Sequence, residues 1–166
     1  MGILNDDMQR VVRQQRFGFI ATVCPDGTPN LSPKGTTAVW DDDHLVFADL
    51  ASPTTMANLR HNPALELNVV DVFARKGYRF KGTVRIIEKG EGLFDEICHA
   101  FETGSRGVHQ VQLPARAYVL LKVDRALPLV SPAYTSGKTE RATREEWADY
   151  WASVHESRMA DLQAEG

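Results

Sequence analysis

Phe17-Gly18-Phe19-Ile20-Ala21-Thr22-Val23-Cys24-Pro25-Asp26-Gly27-Thr28-Pro29-Asn30-Leu31-Ser32-Pro33-Lys34 is the stretch on which the fold turns. Residues 17–23 have the short apolar, aromatic and β-branched character of a strand. Phe17, Phe19, Ala21 and Val23 share one face because strand side chains alternate. Cys24 to Pro29 interrupts the run: Asp-Gly supplies a left-handed position, and each proline resists continuation of a ladder. The chain therefore doubles back, and a second strand starts near Asn30. Pro33 has no N–H to donate, which places that strand at a sheet edge or gives it a bulge.

Working outward, Met8, Val11 and Val12 mark an N-terminal helix. Thr36 to Trp40 is extended, Asp41-Asp42-Asp43-His44 is a polar turn, and Leu45 to Leu50 is a further strand. Ser52-Pro53 then starts a short helix, serine as N-cap and proline in the first helical position, with Met56 and Leu59 on one face and Asn62-Pro63 as its end. Leu65, Leu67 and Val69 alternate with Glu66, Asn68 and Val70. After the connection Ala74 to Gly77, Tyr78, Phe80, Gly82, Val84 and Ile86 alternate with Arg79, Lys81, Thr83, Arg85 and Ile87, so one side of this strand carries positive charge.

From Glu91 the period changes: Leu93, Ile97 and Phe101 lie four apart and predict an amphipathic helix, broken by Gly104 to Gly107. Ala115 to Val123 returns to strand. Pro128, Pro132 and Gly137 mark an irregular excursion before a last helix, in which Thr143 and Glu146 have capping-box spacing and Trp147, Trp151 and Val154 form an apolar stripe. Short strands joined by compact turns, with few helices, predict a mainly β fold with peripheral helices, a small β-barrel. The chain reads as one domain, 1–166, with N-terminal and C-terminal helical extensions. Repeated β-helix-β crossovers are missing, which argues against a doubly wound nucleotide fold.

Composition narrows the function classes. The 19 basic and 22 acidic side chains leave a formal charge of -3, which gives no global attraction for nucleic acid or an anionic membrane. No run approaches the roughly 18 apolar residues of a spanning helix, and the first residues lack a basic leader, so a cytoplasmic protein is expected. Cys24 and Cys98 form no CxxC pair, and the five histidines make no HxH or HExxH pattern, so no metal site is expected. No nucleophile elbow or histidine-centred triad stands out, and no catalytic side chain is assigned.

The helix beginning near Ser52 offers free amides and a positive dipole end to an anion, and Ser52, Thr54 and Thr55 add hydroxyls. Lys34 on a neighbouring strand would add charge. Taken singly, these residues have plainer explanations: Ser52 is a plain N-cap, the threonines are surface residues and Lys34 faces solvent. Together they predict a pocket for the phosphate of a nucleotide-like cofactor.

Between Phe17 and Val123, the strings FGFIATVCPDGTPNLSPKG, LVFADLASPTTMANLRHNPALELNVV, KGYRFKGTVRI and AYVLLKV, in this order and spacing, resemble the pyridoxamine 5'-phosphate oxidase-like family. The resemblance implies an FMN-binding split β-barrel and a homodimer with flavin sites near the subunit interface. It implies an FMN-dependent oxidoreductase acting on a small redox-active substrate of unknown identity. The alternative is a non-enzymatic FMN-binding electron carrier or redox sensor, and deazaflavin or haem are alternative cofactors. Carried onto this chain, the family places Asn30, Ser32 and Lys34 beside the flavin, while Phe47, Ala48 and Asp49 line the pocket through backbone and shape. Ser52, Thr54 and Thr55 fall at the phosphate, where the family commonly has a Ser-Arg-Lys clamp and this chain has Ser52-Pro53-Thr54-Thr55. With two basic side chains missing, distant charge is sought in Arg79, Lys81 and Arg85, Lys81 being the choice for a site shared across a dimer. Tyr134 is either a pocket lid or an aromatic anchor for its loop.

Overall fold

Residues 17–34 do form a hairpin. In the computed structural model, which describes residues 2–112 and 114–165, β1 (Gly18–Val23) pairs antiparallel with β2 (Pro29–Lys34) from Gly18↔Lys34 to Val23↔Pro29. Gly27 takes the positive φ of 84° that its turn requires. Gly18 has to be small: a Cβ there would meet the side chains of Leu67 and Thr37. Pro33 is accommodated because β2 is an edge strand. The order is β2-β1-β5-β6-β7-β4-β3, adding β3 (Ala38–Val39), β4 (His44–Asp49), β5 (Ala64–Asp71), β6 (Lys76–Glu88) and β7 (Ala117–Val130).

This is a mainly β, split-barrel fold: a curled antiparallel sheet of seven strands with four α-helices, α1 (Asp6–Gln15), α2 (Pro53–His61), α3 (Gly92–Thr103) and α4 (Glu140–Ala164). The chain divides into two compact units. One comprises Met1–Val70 and Gly77–Pro128, the other Asp71–Lys76 and Leu129–Gly166. No helix among the described residues is long and apolar enough to cross a membrane.

In the first unit, two apolar clusters use opposite faces of the sheet. Leu45, Phe47, Val119 and Leu121 join Val12, Ile20, Met56, Leu67 and Phe80 in one; Val46, Ala48 and Tyr118 join Ile97 and Phe101 in the other. Both faces of β4 are therefore covered, which explains its unbroken apolar run. Each fully buried Leu, Ile, Val or Phe contributes roughly 1.5–3 kcal/mol, and these side chains dominate the stability of the unit. The buried stripe of α3 is Phe94, Ile97, Ala100 and Phe101; Leu93, expected in it, is only partly buried and yields to Phe94 one position on.

The face of β1 that carries Phe19, Ala21 and Val23 is the outer one, and the inner positions are Gly18, Ile20 and Thr22. Phe17 and Phe19, edge to face at 5.2 Å, remain exposed together with Val23 and Leu31. An aromatic and β-branched run identifies a strand but not which of its faces is inside.

The second unit corrects three expectations. β7 runs through Pro128 to Val130, so the irregular excursion begins only after it. The last helix begins at Glu140, capped by Thr139, whose hydroxyl accepts from the Ala142 amide at 3.2 Å. Thr143, the expected cap, is buried in the first turn and donates to the Thr139 carbonyl at 3.0 Å. Trp151 and Val154 of the expected stripe are exposed, and Arg75 lies over the Trp147 ring at 4.2 Å. The Tyr134 hydroxyl donates to the Ala74 carbonyl at 2.6 Å, an anchoring contact within this unit.

Asp71 receives the Arg144 guanidinium at 2.7 Å and the amides of Phe73 and Ala74 at 3.0 Å. Burial acts to raise its pKa, but the Ala74 amide, Arg144 and the Phe73 amide outweigh it and hold the carboxyl below its ordinary range.

Gly82 lies on β6 where a Cβ would collide with the Lys122 carbonyl oxygen of β7, whereas a Cβ on Gly92 meets open space. Gly82→Ala is expected to lower unfolding free energy by about 1–3 kcal/mol in urea titration. Gly92→Ala, at the start of α3, is expected to cost nothing and serves as the control.

Candidate functional site

The period of two along β2 turns Asn30, Ser32 and Lys34 to one face, while Pro29, Leu31 and Pro33 are exposed on the other. Helix α2 packs against β1 and β2, burying Met56 and Leu59 in the apolar cluster on one side and making a row of side-chain hydrogen bonds on the other. At its N-terminal end the Lys34 ammonium donates to Ser32 Oγ and Ser52 Oγ, both at 2.6 Å. Further along, Asn30 Nδ2 donates to Thr22 Oγ1 at 3.1 Å and Thr55 Oγ1 at 3.3 Å. Asn58 Nδ2 then donates to Thr22 Oγ1 at 3.0 Å. Thr22, Thr55 and Asn58 are each only 2% exposed, so this row is part of the packing and must be hydrogen-bonded.

Lys34 is the unusual member, a lysine only 6% exposed. Burial pushes its pKa below 10.5, and the Asp49 carboxylate opposes that shift. Asp49, equally buried, accepts the Ser52 amide at 3.0 Å and so holds the turn that presents the serine. Two of the three ammonium protons are accounted for by the serines, which leaves one donor for a ligand.

Ser52 occupies the N-cap position of α2 with Pro53 next to it, but its side chain caps nothing. Its hydroxyl is taken by Lys34, because a buried ammonium needs an acceptor more than a helix end open to water does. The amides of Thr54 and Thr55 in the first turn consequently have no side-chain cap, which is the arrangement that receives an anion.

A cavity of about 300 Å³ opens here, lined by Pro33, Lys34, Gly35, Thr36, Ala48, Leu50, Ser52, His109 and Val111. It brings together Lys34, Ala48 and Ser52 of the residues expected at a site. Ser32 and Asp49 reach it through Lys34 and Ser52. Asn30 and Thr55 belong to the neighbouring buried row, Thr54 is exposed, and the Phe47 side chain is in the apolar cluster on the opposite face of β4. Lys81 lies elsewhere, beside a cavity of about 340 Å³ between β1, β5 and β6, with its ammonium 3.0 Å from Glu66 Oε2. Arg79 Nε is 2.8 Å from the other Glu66 oxygen, and Arg85 is paired with Glu91.

His109 is the residue that sequence patterns did not single out. It follows a 3₁₀ turn (Ser105–Gly107) and has no motif around it; only the fold carries it to the wall of the Lys34 cavity. Among the described residues no group of three or more His, Cys, Asp or Glu is placed to hold a metal.

For FMN, the donor set fits: a buried ammonium with an unspent proton, uncapped amides at a helix start, and an apolar wall from Ala48, Leu50 and Val111. Lys34, Ser52 and the Thr54 and Thr55 amides are the residues that would hold it.

The curled seven-stranded split barrel defines the class of fold, and comparison with known proteins places the chain in a family. Residues 4–129 match the family model described as pyridoxamine 5'-phosphate oxidase, and the chain belongs to that family. No curated protein gives a sequence match. Among solved structures, HupZ of Group A Streptococcus is similar at 27% identity and a TM-score of 0.65, over 78% of this chain and 96% of that one. An FMN-binding protein from Syntrophomonas wolfei subsp. wolfei shares the fold at 16% identity and a TM-score of 0.60, over 78% of this chain and 90% of the other. An F420 reductase does so at 20% identity and a TM-score of 0.56, over 74% of this chain and 98% of the other.

Removing one member of a buried pair of charges leaves the other uncompensated. Lys34→Met, which leaves the Asp49 carboxylate buried, is therefore expected to lower stability at pH 7 by about 3 kcal/mol. Because the folded pKa of Lys34 is depressed, the cost of holding its charged form persists below that pKa and is relieved as pH rises toward 10.5. Wild-type stability should thus gain on the Met variant across that alkaline window, measured by denaturant titration at each pH.

Proposed function

We propose that this protein binds FMN in the Lys34 cavity and acts as an FMN-dependent oxidoreductase on a small redox-active substrate. The observation that carries the reading is the ammonium of Lys34, buried on the cavity wall of a chain whose family model spans residues 4–129. Bound FMN supplies one- and two-electron transfer, so the protein need contribute no acid, base or nucleophile of its own. Its part is to bind and to set charge. Lys34 donates to a ring edge or its carbonyl and stabilises negative charge there, Asp49 keeps the Ser52 turn in place, and the apolar wall excludes water.

The working form is proposed to be a homodimer joined through the outer face of β1 and β2. Phe17, Phe19, Val23 and Leu31 expose 42 to 65% of their surface on that side, an unusual concentration of apolar side chains for a face in water. Asn68, opposite Phe19 in the ladder, has a buried Oδ1 with no hydrogen-bond partner among the described residues. Lys81 and Arg79 border this face with Glu66, which supports Lys81 as a contribution to a site shared between subunits.

Mass identification of the small molecule released from native protein tests the cofactor: FMN is expected, and deazaflavin or haem alone would replace it. Lys34→Met should weaken FMN binding by about tenfold or more, the worth of one charge-assisted hydrogen bond, in a fluorescence titration. Substrate-selective turnover among nicotinamides, quinones and small aldehydes separates the enzyme from an electron carrier. Phe19→Asp with Leu31→Asp should give a monomer in analytical ultracentrifugation while leaving the circular dichroism spectrum unchanged. An unaltered dimer would place the interface elsewhere.

A further inference from the structure

The wall of the cavity facing away from β2 is made by a segment that no motif marks. Gly104 ends α3 with a positive φ of 70°, Gly107 turns the chain again with φ 74°, and Val111 then donates its amide to the Phe101 carbonyl at 2.8 Å. Gln110 Nε2 donates to the Glu102 carbonyl at 2.9 Å. Immediately before these two ties His109 packs edge to face on Phe101, with ring centroids 5.8 Å apart at 85°. The imidazole is thereby fixed in orientation, yet among the described residues neither ring nitrogen has a hydrogen-bond partner, and the residue lines the same cavity as Lys34 and Ser52. Orienting a polar ring and leaving both nitrogens unspent is what a contact to a bound molecule requires.

Resting on the FMN reading above, we infer that His109 is a ligand-contacting residue of the Lys34 cavity, donating a ring N–H to an acceptor edge of the bound flavin and adding a second positive charge to the cavity when protonated. The surroundings agree with a titrating role. Burial first, and then the positive charge of Arg16 at the end of α1, lower its pKa below 6.5 and so disfavour the charged ring in the free protein. Arg13, one turn earlier on α1, lies against Gly107. From β2 and β4 come Lys34 and its counter-ion Asp49. From α3 comes Glu102, whose carboxylate accepts from Cys98 Sγ at 3.5 Å. The balance around His109 is cationic, which favours an electron-rich group between it and Lys34 and disfavours the charged imidazole until such a group arrives.

The sign follows from linkage. A ligand acceptor stabilises the imidazolium, so the pKa of His109 rises on binding, and by reciprocity binding through His109 is stronger at low pH and weakens as pH rises through the pKa of the complex.

The test is FMN affinity of the wild-type protein and His109→Gln at pH 5.5 and pH 8, by fluorescence titration. The ratio of the two proteins' Kd at each pH removes the ionisation of the FMN phosphate itself. A ratio near tenfold at pH 5.5, falling to about twofold at pH 8, is expected. Equal ratios at both pH values overturn the role of His109 while leaving FMN binding intact; no FMN binding by the wild type overturns the FMN reading and this inference with it. A second measurement needs no variant: the His109 C2–H resonance, titrated with and without FMN, should show its pKa raised by half a unit or more. An unmoved His109 titration overturns the contact.

Discussion

The pairing of Gly18 with Lys34 in the first hairpin is the constraint on which the remaining arrangement depends. Because side chains alternate, this register alone decides that Asn30, Ser32 and Lys34 face α2 while Leu31 and the flanking prolines face outward. A slip of one residue would exchange the two sets, burying Leu31 against Asn58 and Thr22 and leaving the lysine in water. The register is held from three directions: the tight turn at Gly27, the requirement for a glycine beneath Leu67, and the hydrogen bonds that α2 can make only with a polar strand face. Neither the packing of α2 nor the cavity beside it survives without that choice.

Burying Lys34 has an energetic logic that exposed basic residues would lack. A charged group at the surface is screened within a Debye length of about 8 Å in physiological salt. Inside a wall of Ala48, Leu50 and Val111 the same charge acts through a lower effective dielectric on anything entering the cavity. The cost is desolvation, offset here by two serine hydroxyls and the nearby Asp49 carboxylate. This chain has Ser52-Pro53-Thr54-Thr55 where the family resemblance implies a clamp with two basic side chains, and Thr55 is turned inward to Asn30. One internal cation and a set of uncapped amides thus stand where surface charge was sought in Arg79, Lys81 and Arg85, each of which has an acidic partner of its own or shares one.

Much of the fold was legible because it rests on local chemistry. Asp-Gly between two strand runs marks the hairpin, Pro33 marks an edge, and Ser52-Pro53 marks a helix start, all of which the structure bears out. What local chemistry could not decide was which of two competing partners a group takes. Ser52 has the side chain of a cap and the position of a cap, but a buried ammonium eighteen residues away outbids the helix amides. Thr139 and Thr143 both precede suitable helical sequence, and only burial of Thr143 decides between them. Phe17 and Phe19 share a strand face, as alternation requires, but which face is inside is decided by the register, which turns them out. His109 was invisible for a different reason: its meaning is its distance in sequence from Lys34, and only the crossing of β4 and the segment after α3 brings the two to one cavity.

The two faces of the hairpin also connect binding to assembly under the proposed function. Leu31 and Lys34 are three residues apart on a single short strand, one carrying the exposed apolar face and the other the cavity wall. A partner that covers Leu31 and Phe19 restrains β2, an edge strand otherwise paired on one side only. Restraining β2 lowers the entropy that Lys34 must lose when a ligand accepts a hydrogen bond from its third N–H. Dimer formation and cofactor retention would then reinforce one another through the strand, which itself transmits the order. The coupling requires a stiff element, and a six-residue strand tied at each end by a turn and a buried ion supplies one.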